Sequence, residues 1–482
     1  MNLAERLGEL ARTQGDTPAI VDRRGLTLTF ADFDRETQRV AALLGEQGVR
    51  VGQRALLLTP LSPELYVTLV ALWRIGLVAV VVDPGAGLAH LRSALRRVPP
   101  DLLVAVPRAL PLLALPEVRR IPLRVRVGGW WPRSVDWAAR PALPPQPRPL
   151  ALPESHPALI TFTSGSTGQP KAAVRTHRFL AEQHRVLAKH LHHRPGETDL
   201  VTLAVVGLAS LASGRTALLP DTSLSRPAEI DARRVLRQLR QFPADAVAAS
   251  PALLHTLAEV ALAEGQTLPM TRLFLGGGPV FPRTLELLGR AAPRAELVSV
   301  YGSTEVEPIA HQSWSEVTPA DLHRTRQGGG LLAGPPIPEL DVCLVPEHSG
   351  PLTYPDAAAL RAACLPPGCP GELLVSGGHV LPGYLDGRGD SETKWRDPVS
   401  GQVWHRTGDA AQLDEQGRLW LLGRAGKAVR DAQGTLHPFA AEAAAMTLPT
   451  VRRAALLPGQ RVLCVEWQDD PDPALAEALA WA

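Results

Sequence analysis

At 482 residues the chain exceeds what one ordinary hydrophobic core organises, so two or three packed units are expected. Its apolar fraction of 45% is ordinary, and a formal charge of +2 excludes both the basic footprint of a nucleic-acid binder and an acidic tail. Lysine stands only at Lys171, Lys189, Lys394 and Lys427 among 50 basic residues, which makes each lysine informative, because arginine would have served a merely solvated site.

Glu5, Arg6 and Glu9 fall in an amphipathic pattern that predicts a helix over residues 2–13 and lacks the apolar centre of a signal peptide. Short strands are expected at Ala19-Ile-Val21 and Leu26-Thr-Leu28, followed by a helix from Ala31 to Gly45. A strand at Ala55-Leu-Leu-Leu58, a helix after Pro63 and a strand at Val78-Ala-Val-Val-Val82 come next. Leu65 to Val82 is the most apolar long run, but Arg74-Ile-Gly76 interrupts it, so a helix and a buried strand are expected rather than a membrane span. Strands separated by helix-length segments predict a largely parallel α/β sheet. Residues 99–157 are proline-rich and end in Arg140-Pro-Ala-Leu-Pro-Pro-Gln-Pro-Arg-Pro149, which reads as an internal connection over 140–157 rather than a PxxP ligand.

Ala158-Leu-Ile160 then reads as a strand and Thr176 opens a helical pattern; between them runs Thr161-Phe-Thr-Ser-Gly-Ser-Thr-Gly-Gln-Pro-Lys171. Glycine lets a backbone turn its N–H groups toward one point, and hydroxyls and an ammonium add donors aimed at the same anion. This is a phosphate cradle, but not the Walker pattern, because no Gly-Lys-Ser/Thr closes it. His190-Leu-His-His193 ends the next helix before Pro195-Gly196 and reads as a solvated C-terminus rather than a metal site. Val201 to Leu219, with Arg215 as its one charge, either lines an acyl tunnel or forms a buried strand-turn-strand. Residues 232–242 form a helix pattern, and Val247 to Leu257 a strand-to-helix unit centred on Ser250-Pro251.

Leu273-Phe-Leu275 runs into Gly276, Gly277 and Gly278, and a strand ending in glycines admits a flat ring close to the backbone. Val298-Ser-Val-Tyr-Gly-Ser-Thr-Glu305 delivers a ring, a turn glycine, hydroxyls and a carboxylate in sequence, the parts needed to stack a base, bond a phosphate and hold Mg²⁺. Trp404-His-Arg-Thr-Gly-Asp409 and Gly417-Arg-Leu-Trp-Leu-Leu-Gly-Arg424 follow; an aspartate at a strand-end turn can accept from vicinal hydroxyls, and an arginine offers a fixed fork of donors. Cys343, Cys364, Cys369 and Cys464 form no zinc spacing backed by histidines, so a reduced, cytoplasmic protein is expected.

The order Thr163-Ser-Gly-Ser-Thr-Gly-x-Pro-Lys171 resembles the phosphate loop of the adenylate-forming superfamily, which includes acyl-CoA synthetases, luciferases and adenylation domains. Tyr301-Gly302-Ser303-Thr304-Glu305 and the Asp409 and Arg424 segments are similar to further motifs of that superfamily. The resemblance implies an α/β fold with a large multi-sheet AMP-binding domain over 1–422 and a small, truncated α+β domain over 423–482. It implies ATP and Mg²⁺ as cofactors. Thr163, Ser164, Gly165, Ser166, Thr167, Gly168 and Lys171 are then expected at the phosphates, and Gly276, Gly277, Gly278 and Tyr301 along the adenine. In the Tyr301–Glu305 motif, which includes Gly302 and Ser303, Thr304 is expected at the α-phosphate and Glu305 at the metal. Asp409 and Arg424 are expected at the ribose. Lys171, Thr304 and Glu305 are the candidate catalytic residues.

Pro220-Asp-Thr-Ser-Leu-Ser-Arg-Pro227, Tyr301-Gly-Ser-Thr-Glu-Val-Glu-Pro308 and Leu448-Pro-Thr-Val-Arg-Arg-Ala-Ala-Leu456 look like the branch containing the olefin-biosynthesis β-lactone synthetases. The resemblance implies activation of an acyl carboxylate, a long-chain β-hydroxy acid in that branch, as acyl-AMP; a fatty acyl-CoA synthetase and a weakly catalytic subunit of a multi-enzyme assembly are the alternatives. Three departures stand out. Ala172 and Ala173 follow Lys171 where the family has glycine; the segment after Arg424 lacks the family's acidic residue; and Lys427 is the last lysine, so the expected C-terminal domain lacks the family's catalytic one. Slow, assisted or lost adenylation is the expectation from that last departure.

Overall fold

The computed structural model describes residues 2–139, 148–164 and 170–468. The chain divides into two compact units, the first of residues 1–249, 304–307 and 381–390, the second of 250–303, 308–380 and 391–482.

The first unit contains β1 (Pro18–Val21), β2 (Thr27–Thr29), β3 (Arg54–Leu58), β4 (Val78–Val81), β5 (Leu102–Ala105), β6 (Leu123–Arg126), β7 (Val135–Asp136), β8 (Pro157–Ser164), β9 (Pro170–Thr176), β10 (Thr198–Val201), β11 (Thr216–Leu218) and β12 (Ala246–Ala249). One sheet runs β7-β6-β5-β3-β4-β8-β9, parallel throughout except at β8/β9. The strands β12-β10-β11-β1-β2 lie side by side, again parallel except for β1/β2. Successive side chains point to opposite faces, and burial of both faces makes the central strands read as continuous apolar runs. Ala55, Leu57, Ala79, Leu102 and Val104 enter one core cluster with Tyr66 and Trp73 of the helix Pro63–Arg74, while Leu56, Val80, Leu103 and Ala105 enter another with Leu91 and Leu95. Both faces are therefore buried.

Four features of this unit add to or correct the expectations. First, the proline-rich residues 99–139 carry unanticipated strands: β5, β6 and β7 extend the parallel sheet, and Pro107 and Pro116 occupy first positions of helical turns, where a missing N–H costs nothing. The stretch 140–147 lies outside the described residues, so the 140–157 connection is described only from Arg148 onward. Second, the helix expected from Thr176 is present as His177–His190, capped by Thr176 Oγ1, but an unanticipated strand, β9, precedes it. Third, Val201–Leu219 is strand-helix-strand: the helix Ala204–Ala212 is buried almost all round, so it shows no polar stripe. Arg215 is fully buried and forms a fork on Asp199, with distances of 2.7 and 2.6 Å, and a further bond to Glu197. Fourth, His193 is not solvated; its side chain is 3% exposed and its Nδ1 shares a 3.0 Å hydrogen bond with Ser213 Oγ.

The second unit contains β13 (Arg272–Leu275), β14 (Glu296–Ser303), β15 (Val306–Ser313, whose first two residues fall in the first unit), β16 (Leu331–Gly334), β17 (Leu340–Val345), β18 (Gly371–Gly377), β19 (Lys394–Arg396), β20 (Val403–Leu413) and β21 (Leu419–Arg424). β13 and β14 pair in parallel, and β16-β21-β20-β18-β17 form an antiparallel sheet with β19 beside β20. After Arg424 come the hairpin β22 (Val429–Asp431)/β23 (Gly434–Leu436), the helix Pro438–Ala445 and the hairpin β24 (Val451–Leu456)/β25 (Leu463–Trp467), the α+β mixture expected there. Cys343 and Cys364 are joined in a disulfide, against the expectation of four reduced cysteines. No helix among the described residues is long and apolar enough to cross a membrane.

Candidate functional site

In the first unit the β8/β9 hairpin sets the geometry. Thr163 opposes Lys171, Thr161 opposes Ala173 and Leu159 opposes Arg175. Directly opposed residues share a face and so do alternate ones, so Thr161, Thr163, Lys171, Ala173 and Arg175 line one side of the hairpin. Lys171 is 6% exposed, and its Nζ lies 5.7 Å from the centroid of the Tyr384 ring. The Tyr384 hydroxyl donates to Glu305 Oε1 at 2.5 Å. Arg175 donates to Thr161 Oγ1 at 2.7 Å and to the Thr304 carbonyl at 2.8 Å, so it ties the hairpin to the Thr304-Glu305 turn.

Burial pulls the Arg175 guanidinium below its usual range, with Glu307 and Glu305 opposing the shift. Burial likewise pushes the Glu307 carboxyl up, and Arg175 holds it back. Ala172 absorbs the first departure from the family pattern: it points to the other face and packs with Ile160 and Leu56 in an apolar cluster, while Ala173 bridges Tyr384. Gly165, Ser166, Thr167 and Gly168 lie outside the described residues, and Ser164 is described only by its strand pairing to Pro170.

In the second unit Asp409 is not at a strand-end turn. It lies within β20, opposite Arg424 of β21. Its Oδ2 accepts from the Tyr301 hydroxyl at 2.7 Å, and its Oδ1 is 3.3 Å from Arg424 Nη1. Arg424 is 68% exposed at the side chain, and its Nη1 also donates to the Thr407 carbonyl at 3.2 Å. Burial, and then the Asp409 charge, raise the Tyr301 phenol well above its ordinary range, so it stays a donor. Ser303 Oγ is buried without a hydrogen-bond partner. Gly276 follows β13 so closely beside β14 that a Cβ there would lie 3.0 Å from the Val300 carbonyl, and Gly277 has φ +75°.

The structure therefore gathers Thr163, Lys171, Thr304 and Glu305 in one unit, and Tyr301, Ser303, Asp409 and Arg424 in the other. Sequence reasoning missed Arg175, Glu307 and Thr407 and gave Tyr384 no role. The available signal was alternation for Arg175, which falls two strand positions beyond Ala173 and four beyond Lys171.

The AMP-binding enzyme family profile matches residues 7–385. The chain is 32% identical over 512 residues to the olefin beta-lactone synthetase of Stenotrophomonas maltophilia, covering 99% of this chain and 90% of that protein. It is 31% identical to the olefin beta-lactone synthetase of Xanthomonas campestris, covering 97% and 87%. Among solved structures, the amide bond synthetase McbA from Marinactinospora thermotolerans superposes with a TM-score of 0.79 at 23% identity, covering 99% of this chain and 92% of that one. The o-succinylbenzoate CoA synthetase of Bacillus subtilis with its acyl-adenylate gives 0.76 at 18% identity, covering 99% and 91%.

Proposed function

Since the chain belongs to the AMP-binding enzymes, AMP-forming ligases that activate an acyl carboxylate with ATP, we propose that its acid is a long-chain β-hydroxy acid and its product a β-lactone. The observation that carries this reading is the 32% identity to an olefin beta-lactone synthetase along 99% of the chain. The carboxylate oxygen attacks the α-phosphorus, the bond to the bridging oxygen breaks, and pyrophosphate leaves. The β-hydroxyl oxygen then attacks the acyl carbon, the bond to AMP breaks, and the hydroxyl proton passes to solvent. No thiol is consumed.

In this reading Lys171 and residues 163–168 steady the phosphates that leave, and Thr304 bonds the α-phosphate. Gly276, Gly277, Gly278 and Tyr301, with Gly302 and Ser303 beside it, hold the adenine. Asp409 and Arg424 take the ribose hydroxyls. Support comes from the orphaned Ser303 hydroxyl, which fits a ligand acceptor. A magnesium ion shared among phosphates needs one or two protein carboxylates. Glu305 fits that role, and the described residues hold no group of three or more His, Cys, Asp or Glu able to hold a metal on its own. Bound there, the ion would offset phosphate charge. Residues from Gly423 onward are proposed as the C-terminal domain, with Gly426 as its pivot. Dependence on ATP favours a cytoplasmic location.

Incubation with ATP, Mg²⁺ and a long-chain β-hydroxy acid is expected to yield AMP, pyrophosphate and a β-lactone at the same rate with and without CoA. A thioester formed only with CoA would replace the lactone reading by that of an acyl-CoA synthetase.

A further inference from the structure

We propose that Tyr384 is a positioning residue that fixes both Lys171 and Glu305, and that residues 381–390 are the strap that holds it in place; this rests on the nucleotide roles given above to those two charges. The strap is far from β9 in sequence yet belongs to the same unit. Its anchors reach both sides of the phosphate site. Leu381 N–H donates to the Glu305 carbonyl at 2.7 Å, and Tyr384 bridges Ala173 of β9. Arg97 donates to the Leu385 carbonyl and to the Pro170 carbonyl, each at 2.9 Å, so one guanidinium joins the strap to the start of β9. Within the strap, Asp390 Oδ1 accepts from Tyr384 N–H at 2.8 Å.

Tyr384 then acts at both ends of its side chain. Its hydroxyl donates to Glu305 Oε1 at 2.5 Å, in a buried setting. A donor on one carboxylate oxygen fixes rotation about the terminal bond and so sets the direction of the other oxygen, as hydrogen-bonded partners of metal-binding carboxylates do. Its ring lies 5.7 Å from Lys171 Nζ, within reach of the attraction between an ammonium and an aromatic face. Gly389 completes the arrangement. It has φ +97°, and a Cβ at that position would come within 2.8 Å of both Cδ and Cε of Lys171, so the strap touches the lysine stem where no side chain fits.

The test uses the full chain and reads ATP binding by calorimetry across a Mg²⁺ titration, with the melting temperature of each variant alongside. Tyr384→Phe removes only the hydroxyl and is expected to raise the half-saturating Mg²⁺ concentration about tenfold, while ATP affinity without Mg²⁺ stays within about twofold. Tyr384→Leu removes the ring as well and is expected to weaken metal-free ATP binding too. Gly389→Ala is expected to weaken ATP binding equally with and without Mg²⁺, because it displaces Lys171 and leaves Glu305 alone. An unchanged Mg²⁺ dependence in Tyr384→Phe overturns the proposal, as does an equal loss with and without the metal. Because these readouts are of binding, a wild-type protein that forms no lactone from any acid would remove the lactone reading while the Mg²⁺ shift still decided the role of Tyr384.

Discussion

His177 shows how a single side chain couples this fold to pH. It is the first residue of the helix His177–His190, almost fully buried, with both ring nitrogens lacking partners. Its ring stacks on His156 at 6.1 Å and meets Trp73 edge-on at 6.2 Å. Burial, and then the neighbouring His156, lower its pKa from 6.5 to about 4, and the positive end of the helix dipole acts in the same direction. A histidine that is neutral when folded and titrates near 6.5 when unfolded binds fewer protons in the native state. Stability is therefore full above about pH 6.5 and falls as pH drops toward 4, by about 3 kcal/mol for this residue alone. His184 is also lowered to about 4 by burial and adds a slope of the same sign. His177→Phe keeps the stacked ring and removes the titration. Its melting temperature is expected to match wild type near pH 8 and to exceed it near pH 5; parallel curves for the two proteins would show that His177 does not carry the slope.

At the scale of elements, the β8/β9 hairpin joins fold to site, and it was half legible. The apolar run Ala158–Ile160 announced β8, because strands buried on both faces read as continuous hydrophobic stretches. β9 was hidden because Lys171-Ala-Ala-Val-Arg-Thr176 carries two charges and two alanines, a composition with weak strand propensity. Those charges are compatible with a buried strand only because each has a tertiary neighbour: Tyr384 for Lys171, and Thr161, the Thr304 carbonyl and Glu307 for Arg175. No local pattern shows such neighbours. β5 to β7 were hidden differently, since prolines placed at helical first turns raised the proline content of a segment that is mostly sheet. The hairpin yields a prediction of its own. Arg175→Met strips a charged donor from Thr161 and Thr304 and pushes Glu307 further up, and is expected to cost about 2–3 kcal/mol, read as a fall in melting temperature of roughly 4–10 °C. Arg175→Lys is expected not to rescue, because an ammonium lacks the fork that reaches both acceptors. Adding Glu307→Gln should recover part of the loss, and strict additivity of the two changes would show that the pair is not coupled.

At the scale of the whole molecule, the family motifs in the sequence named most residues of the candidate site, but not how they are apportioned. The chain crosses from one unit to the other between Ser303 and Thr304, inside a single five-residue motif. Tyr301 thereby joins Asp409 and Arg424, while Thr304 and Glu305 join Lys171, Arg175 and Tyr384. The roles proposed for the two sets are tested separately, each within its own unit. Asp409→Ala removes an acceptor that serves adenosine whatever phosphates follow it, so AMP and ATP affinity are both expected to fall about ten- to a hundredfold, the worth of about one charge-assisted hydrogen bond. Lys171→Met removes a cation assigned to the leaving phosphates, so ATP affinity is expected to fall by a similar factor while AMP affinity stays within about twofold. Calorimetry with both ligands on both variants measures the difference directly. A loss of AMP binding in Lys171→Met as large as the loss of ATP binding would mean that the lysine supports the fold of the hairpin rather than the pyrophosphate. AMP binding unchanged in Asp409→Ala would remove Asp409 from the ribose and leave its bond to Tyr301 as a structural tie within the second unit.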